Sequence, residues 1–125
     1  LDKMLKQRTK DGLSWIVGGD FNLLPPGEAY QALTGYQKQY YKPKTEIASF
    51  FKDYQAVPNA TQTTGSNRSE WFTHFPNDPK VSQPDRTIDY LFFSKNIELD
   101  KTTIGQKDTW TISDHLPLMV EFKVK

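Results

Sequence analysis

The chain has 125 residues, the length of one domain, and its 36% hydrophobic and 14% aromatic content is enough to form a core. The 16 lysines and arginines nearly balance the 15 aspartates and glutamates, so a net charge of +1 gives no global positive field of the kind that binds nucleic acid in bulk. The absence of cysteine excludes disulfides, thiolate metal sites and cysteine nucleophiles. No apolar run approaches the roughly 20 residues that span a bilayer, so we predict no transmembrane segment.

The N-terminal segment predicts an amphipathic helix. Between Leu1 and Lys10 the apolar side chains share one helical face, and Asp11-Gly12 ends the pattern. A helical pattern that is already under way at the first residue leads us to expect that the chain is part of a longer domain.

A buried strand and a polar turn follow this helix. Trp15 to Val17 is a short apolar run, and we expect it to end at Gly18-Gly19. Asp20 and Asn22 come next, and Pro25-Pro26 prevents a helix there. Such side chains at a strand end can hold a metal, orient a water or bind a phosphate. They also favour turns by bonding nearby backbone, and this segment alone supports both interpretations.

The middle of the chain contains fewer clear elements. From Pro26 to Pro43 the chain is irregular, and several tyrosines lie near lysines. A tyrosine can stack a base while a lysine binds a phosphate, but the pattern favours an ordinary half-exposed loop. Thr45 is a candidate N-cap for a short helix that reaches Tyr54 and buries its aromatic side chains. The polar stretch from Thr61 to Glu70 predicts a surface loop.

Two further strands are predicted before the C-terminal region. Trp71 to His74 is short and bounded by loops, and His74 is either a structural hydrogen-bonding residue or a functional group at a strand end. Arg86 to Ser94 has an unbroken apolar run that predicts a strand buried on both faces. Asp89, at its start, therefore needs a cationic or hydrogen-bonding partner, and a salt bridge to Arg86 is the less favoured choice.

The C-terminal region predicts a closing strand preceded by polar residues. Thr102 to Ile104 is a weaker strand candidate, and Leu118 to Lys123 alternates as a half-buried strand does. Asp114 and His115 lie just before it. The chain lacks the spacing of an EF-hand, a Walker A loop, a serine-hydrolase elbow or a zinc-protease helix.

Five polar residues thus stand at element ends. They are Asp20, Asn22, Asp89, Asp114 and His115. A phosphodiester hydrolase needs oxygen ligands for Mg²⁺ or Mn²⁺, a general acid or base, and a group that binds phosphoryl oxygens. This set contains all three types.

Three motifs in this order resemble the endonuclease/exonuclease/phosphatase superfamily, which has the deoxyribonuclease I-like fold. They are Gly19-Asp20-Phe21-Asn22, Thr87-Ile88-Asp89-Tyr90-Leu91-Phe92 and Ser113-Asp114-His115-Leu116-Pro117. The resemblance covers the whole chain. It implies an α/β fold, the C-terminal part of a four-layer α/β sandwich with mixed sheets flanked by helices.

The resemblance also implies roles for these residues. Asp20 would position or deprotonate the attacking water, or assist the leaving group, and Asn22 would orient the scissile phosphate. Asp89 would pair with His115, which acts as the base or stabilises the transition state. Asp114, together with Asp20, is the expected metal ligand. His74 and Arg86 are further candidates for binding the substrate.

The resemblance has two departures with consequences for activity. Relatives carry Arg or Lys at the position of Thr87, for which Arg86 is a possible substitute. The family's metal-binding Glu, an Asn and a further His belong to the half of the domain that precedes this one. We therefore expect residues 1–125 to be the C-terminal half of one domain, inactive alone, and to act with the missing N-terminal half as a Mg²⁺- or Mn²⁺-dependent phosphoesterase.

The sequence is compatible with more than one substrate class and with a second function. Nucleic acid, phospholipid and inositol phosphate are all substrates of this family, and fold does not fix the choice. The alternative function is a binding or interaction module that keeps the fold without turnover. A half-domain should also leave one face of its sheet open to water, lined by Ile16, Leu91, Phe93 and Val120.

Overall fold

The computed structural model describes residues 1–125, apart from the side chain of Glu28. About 23% of the chain is helical and 25% is in strands, which agrees with the predicted mixture of helix and strand. The helices are α1 (Asp2–Lys10), α2 (Ala48–Asp53) and α3 (Ala60–Thr64), and short 3₁₀ turns cover Glu28–Tyr30, Gln37–Gln39 and Arg68–Trp71. The strands are β1 (Ile16–Asp20), β2 (Gln55–Val57), β3 (Asp89–Phe93), β4 (Ile97–Ile104) and β5 (Leu118–Val124). Across the described residues, no helix has the length and apolar character needed to cross a membrane.

The strands form two small sheets. One has the order β1-β3-β2, with β3 in the centre, and the other is the β4-β5 hairpin. Every one of these strand pairs is antiparallel, so the expectation of mixed sheets is wrong for the strands described here. The register of β1 on β3 places Asp20 directly opposite Asp89 at one end of the ladder.

One face of the three-stranded sheet carries the main core. Alternation along β3 places Tyr90 and Phe92 on this face, where they pack with Leu5 of α1 and Ile47 beside α2. Tyr90 and Phe92 are almost completely buried, and Phe50 and Phe51 of α2 pack edge-on against Phe92. The strand carrying Asp89 is therefore anchored by the two helices behind it.

The opposite face of the sheet packs partly against the hairpin. Phe93 is only 1% exposed because it packs with Ile97 and with Leu118 and Val120 of β5. The expectation of an open apolar face is therefore wrong at Phe93, and Leu91 and Val120 are half-buried. Ile16, at 41%, does remain exposed. The hairpin thus covers the part of the face nearest Phe93 from within the chain.

The end of β1 differs from the predicted turn at the two glycines. Gly18 and Gly19 lie inside the strand, opposite Leu91 and Tyr90, and Asp20 is its last residue. A Cβ at position 18 would lie only 2.2 Å from Cδ2 of Leu91 and would collide with it, whereas glycine fits there. The glycines thus allow the strand to continue to Asp20.

The segments around α2 and α3 also differ from the prediction. Helix α2 begins after Ile47, so Thr45 is not its N-cap. Helix α3 lies within the stretch predicted as a loop, because Asn59 and Gln62 form a reciprocal capping box with hydrogen bonds of 2.9 and 2.8 Å. Local caps therefore stabilise a helix that apolar periodicity does not reveal.

Candidate active site

Asp89 and His115 form the central contact of the site. The Nδ1 atom of His115 lies 3.1 and 3.0 Å from the two carboxylate oxygens of Asp89. Asp89 is the first residue of β3, and His115 lies in the segment that leads into β5. The partner of Asp89 is thus His115, and Arg86 pairs elsewhere. A carboxylate that accepts from Nδ1 fixes the tautomer of the ring and leaves Nε2 for other partners.

Asp20 lies on the other side of the same imidazole. Its Oδ2 is 3.9 Å from Nε2 of His115, and its backbone is opposite that of Asp89. Burial opposes charge on the ring, but the hydrogen bond to Asp89 and the charges of Asp89, Asp20 and Asp114 outweigh it and raise the pKa of His115. The imidazole therefore lies between two carboxylates that favour its protonated form.

Asn22 is attached to Asp20 by a tight turn. The backbone N–H of Asn22 donates to Oδ1 of Asp20 at 2.7 Å, and Asn22 has a left-handed φ of 49°. The turn interpretation of this pair is therefore correct as geometry. It uses one oxygen of Asp20 and leaves the other facing His115. The Asn22 side-chain oxygen accepts a 3.4 Å hydrogen bond from the hydroxyl of Tyr41.

Arg86 reaches the site through Tyr41. Its guanidinium is mostly buried and bonds both oxygens of Asp85, from Nε at 2.8 Å and from Nη2 at 3.0 Å. Its Nη1 donates to the Tyr41 hydroxyl at 3.3 Å, and Tyr41 donates in turn to Asn22. The charge of Arg86 is thus paired with Asp85, and its described link to the catalytic candidates is indirect.

Thr73 is a positioning residue whose role the sequence does not reveal. Its fully buried hydroxyl accepts hydrogen bonds from the backbone N–H groups of Ile88 and Asp89, both at 3.1 Å. Its carbonyl accepts from the N–H of Leu116 at 2.8 Å. Thr73 therefore connects the segment that carries Asp89 to the segment that carries His115. A threonine in a short predicted strand gives no signal of this role.

His74 and Asp114 lie on the other side of His115. One donor atom from each of His74, Asp114 and His115 lies within 4.8 Å of the other two. The two imidazole rings are 4.9 Å apart between centroids. Burial and then the charges of Arg86 and His115 lower the pKa of His74, against the smaller raising effects of the charge and the backbone of Asp114. Its Nδ1 is buried, with no hydrogen-bond partner among the side chains and backbone that the structure describes.

The donor chemistry of this group bears on the expected metal. Of the two predicted metal ligands, Asp114 belongs to the group, whereas Asp20 lies beside His115 and is not a member. Two imidazoles and one carboxylate suit a transition metal better than Mg²⁺, which prefers oxygen ligands. Mn²⁺ accepts both donor types, so of the two expected cofactors it fits these residues better.

The structure thus brings the five candidate residues to one end of the β1–β3 ladder and adds Thr73 and His74 to them. Asp20, Asp89 and His115 interact directly, Asn22 is joined to Asp20, and Asp114 lies beside His115. Comparisons with models of protein families, with curated proteins and with solved structures find no match.

Proposed function

We propose that this chain provides the C-terminal half of the active site of a divalent-metal-dependent phosphoesterase of the endonuclease/exonuclease/phosphatase type. The single observation that carries the proposal is the Asp20–His115–Asp89 arrangement, in which one imidazole lies between two carboxylates. In this arrangement His115 can act as a base, Asp89 orients its ring, and Asp20 supplies a second carboxylate. These are groups that hydrolysis of a phosphodiester uses. The missing N-terminal half of the domain would complete the site, and we expect residues 1–125 to be inactive alone.

The geometry supports a division of labour between the two carboxylates. Asp89 orients the ring of His115 through Nδ1. The distance of 3.9 Å between Nε2 of His115 and Oδ2 of Asp20 is too long for a hydrogen bond. Both side chains are therefore free to contact a third group, such as the attacking water or the phosphate. In the proposed reaction Asp20 positions or deprotonates the attacking water, or assists the leaving group. His115 acts as the base or stabilises the charge that develops on the phosphoryl oxygens.

Asn22 and the metal complete the proposed machinery. Asn22, fixed by its turn onto Asp20, orients the scissile phosphate. A divalent cation, Mg²⁺ or Mn²⁺, would supply Lewis-acid polarisation of the phosphoryl group. Asp114 is the proposed ligand of this cation in this half of the domain. Asp20 is the second candidate ligand and lies, like Asp114, beside His115.

Two features beside these residues favour a nucleic-acid substrate over a lipid. A cavity of about 200 Å³ next to Asn22 is lined by Tyr40, Tyr41, Lys42 and Lys44. Aromatic rings beside ammonium groups suit the bases and phosphates of a polynucleotide strand. A larger open cleft of about 750 Å³ borders Asp114 and gives a strand room to pass. We therefore propose a nuclease first, with phospholipid or inositol phosphate hydrolysis as the alternative.

The test requires a polypeptide that supplies both halves of the domain. A generic phosphodiester, DNA, RNA, inositol phosphates and sphingomyelin are assayed with and without chelator. We expect chelator to abolish turnover and His115→Ala to lower it by about 100-fold or more. Asp100→Asn, which changes an exposed carboxylate on β4, is the control and should leave turnover unchanged.

Two outcomes would decide against the proposal. Hydrolysis that is indifferent to both chelator and His115→Ala would show that other groups carry it. Binding of one of these ligands without any turnover would support the non-catalytic binding module instead.

A further inference from the structure

We propose that His74, Asp114 and His115 form a binding site for a divalent transition-metal ion, and that this site holds Zn²⁺ more tightly than Mg²⁺. The inference goes beyond the proposed function because it makes both His74 and His115 metal ligands. Asp89 accepts from Nδ1 of His115, so Nε2 would hold the ion, and while it does so that nitrogen cannot also act as the base. It concerns binding alone, so it can be tested in the absence of any substrate.

The three donor atoms are close enough to share one ion after small side-chain movements. They lie within 4.8 Å of one another, and ligands of a tetrahedral zinc ion are about 3.3–3.5 Å apart for bonds of about 2.0–2.2 Å. The required closure is therefore about 1.5 Å or less. Asp114 is exposed, so rotation of its side chain can supply this movement.

The backbone holds the two histidine segments in register. His74 and His115 form an isolated antiparallel bridge. On one side of it the N–H of Phe75 donates to the carbonyl of Asp114, and on the other the N–H of Leu116 donates to the carbonyl of Thr73, both at 2.8 Å. The ligand-bearing backbone is therefore fixed before any ion arrives, which lowers the entropic cost of binding.

The surroundings of the rings match those of metal-binding histidines. A histidine that ligates a metal commonly donates its other N–H to a carboxylate, and Asp89 already accepts from Nδ1 of His115. His74 contains a buried nitrogen without a hydrogen-bond partner among the described residues. An unpaired buried nitrogen is costly, and a bound cation is one group that satisfies it.

The donor set decides which ion fits best. Imidazole nitrogens suit Zn²⁺ and other first-row transition metals, and a given site generally binds Zn²⁺ more tightly than Mn²⁺, although Cu²⁺ binds more tightly still. Three protein ligands leave a fourth position open for water or a phosphoryl oxygen, the pattern of catalytic rather than structural zinc sites. The open cleft that borders Asp114 gives such a ligand access.

The experiment measures metal binding by the 125-residue chain after treatment with chelator. Isothermal titration with Zn²⁺, Mn²⁺ and Mg²⁺ should give one Zn²⁺ per chain and a Zn²⁺ affinity at least about tenfold above that for Mg²⁺. The chain has two histidines and no cysteine, so removal of one histidine tests the site directly. His74→Phe keeps an aromatic ring next to His115 and removes the donor atoms.

The variants are compared with a matched control. We expect His74→Phe and Asp114→Asn each to weaken Zn²⁺ binding by at least about tenfold, with circular dichroism showing an intact fold. Asp114→Asn alters an exposed side chain and gives the same test if His74→Phe does not fold. Asp100→Asn removes an exposed carboxylate from β4 and should bind Zn²⁺ as the parent chain does.

The inference is overturned if Zn²⁺ affinity is the same in the folded variants as in the parent chain, or if Mg²⁺ binds as tightly as Zn²⁺. Since no turnover is measured, these results are independent of the phosphoesterase assay. A chain that binds Zn²⁺ through His74 without hydrolysing any phosphodiester would support this inference and oppose the proposed function.

Discussion

Asp20 and Asp89 face each other across the last residue pair of the β1–β3 ladder. Like charges directly opposite on neighbouring strands destabilise a sheet, so this pair has a cost in folding free energy. His115 offsets part of it by bonding Asp89 at 3.0 Å. Two carboxylates held together in this way are more easily explained by function than by stability.

The first prediction separates the effect of Asp20 on stability from its effect on turnover. We expect Asp20→Asn to raise the free energy of unfolding by about 0.2–1 kcal/mol, because it removes the repulsion from Asp89 and keeps an oxygen for the turn at Asn22. The 3.9 Å contact with His115 is long and partly exposed, so its loss costs little. In a polypeptide that supplies both halves of the proposed domain, the same variant should lower phosphodiester turnover by about 100-fold or more.

Urea denaturation and the phosphodiester assay measure the two effects of this variant. Asp108→Asn changes an exposed carboxylate elsewhere and serves as the control for both. A less stable Asp20→Asn variant that keeps full turnover would contradict the assignment of Asp20.

The second prediction concerns the hydroxyl of Thr73. Thr73→Val preserves the shape of the side chain but leaves the N–H groups of Ile88 and Asp89 without their acceptor. We expect a loss of about 2–6 kcal/mol in the free energy of unfolding, since each of the two unpaired buried amides costs about 1–3 kcal/mol. Thr73→Ser keeps the hydroxyl and loses one methyl group, for about 1 kcal/mol. Equal stability of the two variants in urea would show that these hydrogen bonds contribute little.

The elements that could be predicted from the sequence are those that apolar pattern alone defines. The unbroken apolar run around Tyr90 and Phe92 predicts the central strand because it is short and rich in aromatic side chains. The sequence does not reveal helix α3, because its residues are mostly polar and its stability comes from the caps at Asn59 and Gln62 and from packing. Strand β1 is longer than its sequence predicts, because glycines normally weaken strands, whereas here Gly18 makes room for Leu91.

The site was predictable in its composition but incompletely in its geometry. Asp89 needed a partner because a carboxylate at the start of a buried strand is costly when unpaired, and the structure supplies His115. The roles of Thr73 and His74 depend on the bridge between residues 73–75 and 114–116. That pairing joins segments about forty residues apart, and no local pattern in either segment encodes it.

The third prediction tests the backbone before Asp20. Gly19 has a φ of +148°, and a Cβ there would meet no atom within 4 Å, so any cost of Gly19→Ala comes from backbone strain. We expect a loss of about 1–3 kcal/mol in the free energy of unfolding. Gly35 has the same open space and no positive φ, so Gly35→Ala is the matched control and should be neutral or slightly stabilising. If both variants unfold at the same urea concentration as the parent chain, the conformation at Gly19 is not strained.

The last prediction is a pH dependence of stability that originates far from the site, at Tyr54. Its hydroxyl donates to the carboxylate of Asp2 at 2.8 Å, which joins α1 to the end of α2. Burial and then this hydrogen bond raise the pKa of Tyr54 from its ordinary 10 to about 12. The tyrosine therefore loses its proton in the unfolded chain at a lower pH than in the folded chain. Its contribution to stability is complete below pH 10 and is lost as pH rises toward 12.

Tyr54→Phe isolates this contribution. At pH 7 the variant should be less stable than the parent chain by about 1 kcal/mol, the net value of one hydrogen bond. The difference between the two proteins should shrink between pH 10 and 12, because only the parent chain has the titrating hydroxyl. Urea denaturation of both proteins at several pH values measures this difference, and the shared ionisation of the lysines cancels in the comparison. A difference that stays constant up to pH 12 would mean that Tyr54 ionises alike in the folded and unfolded chains.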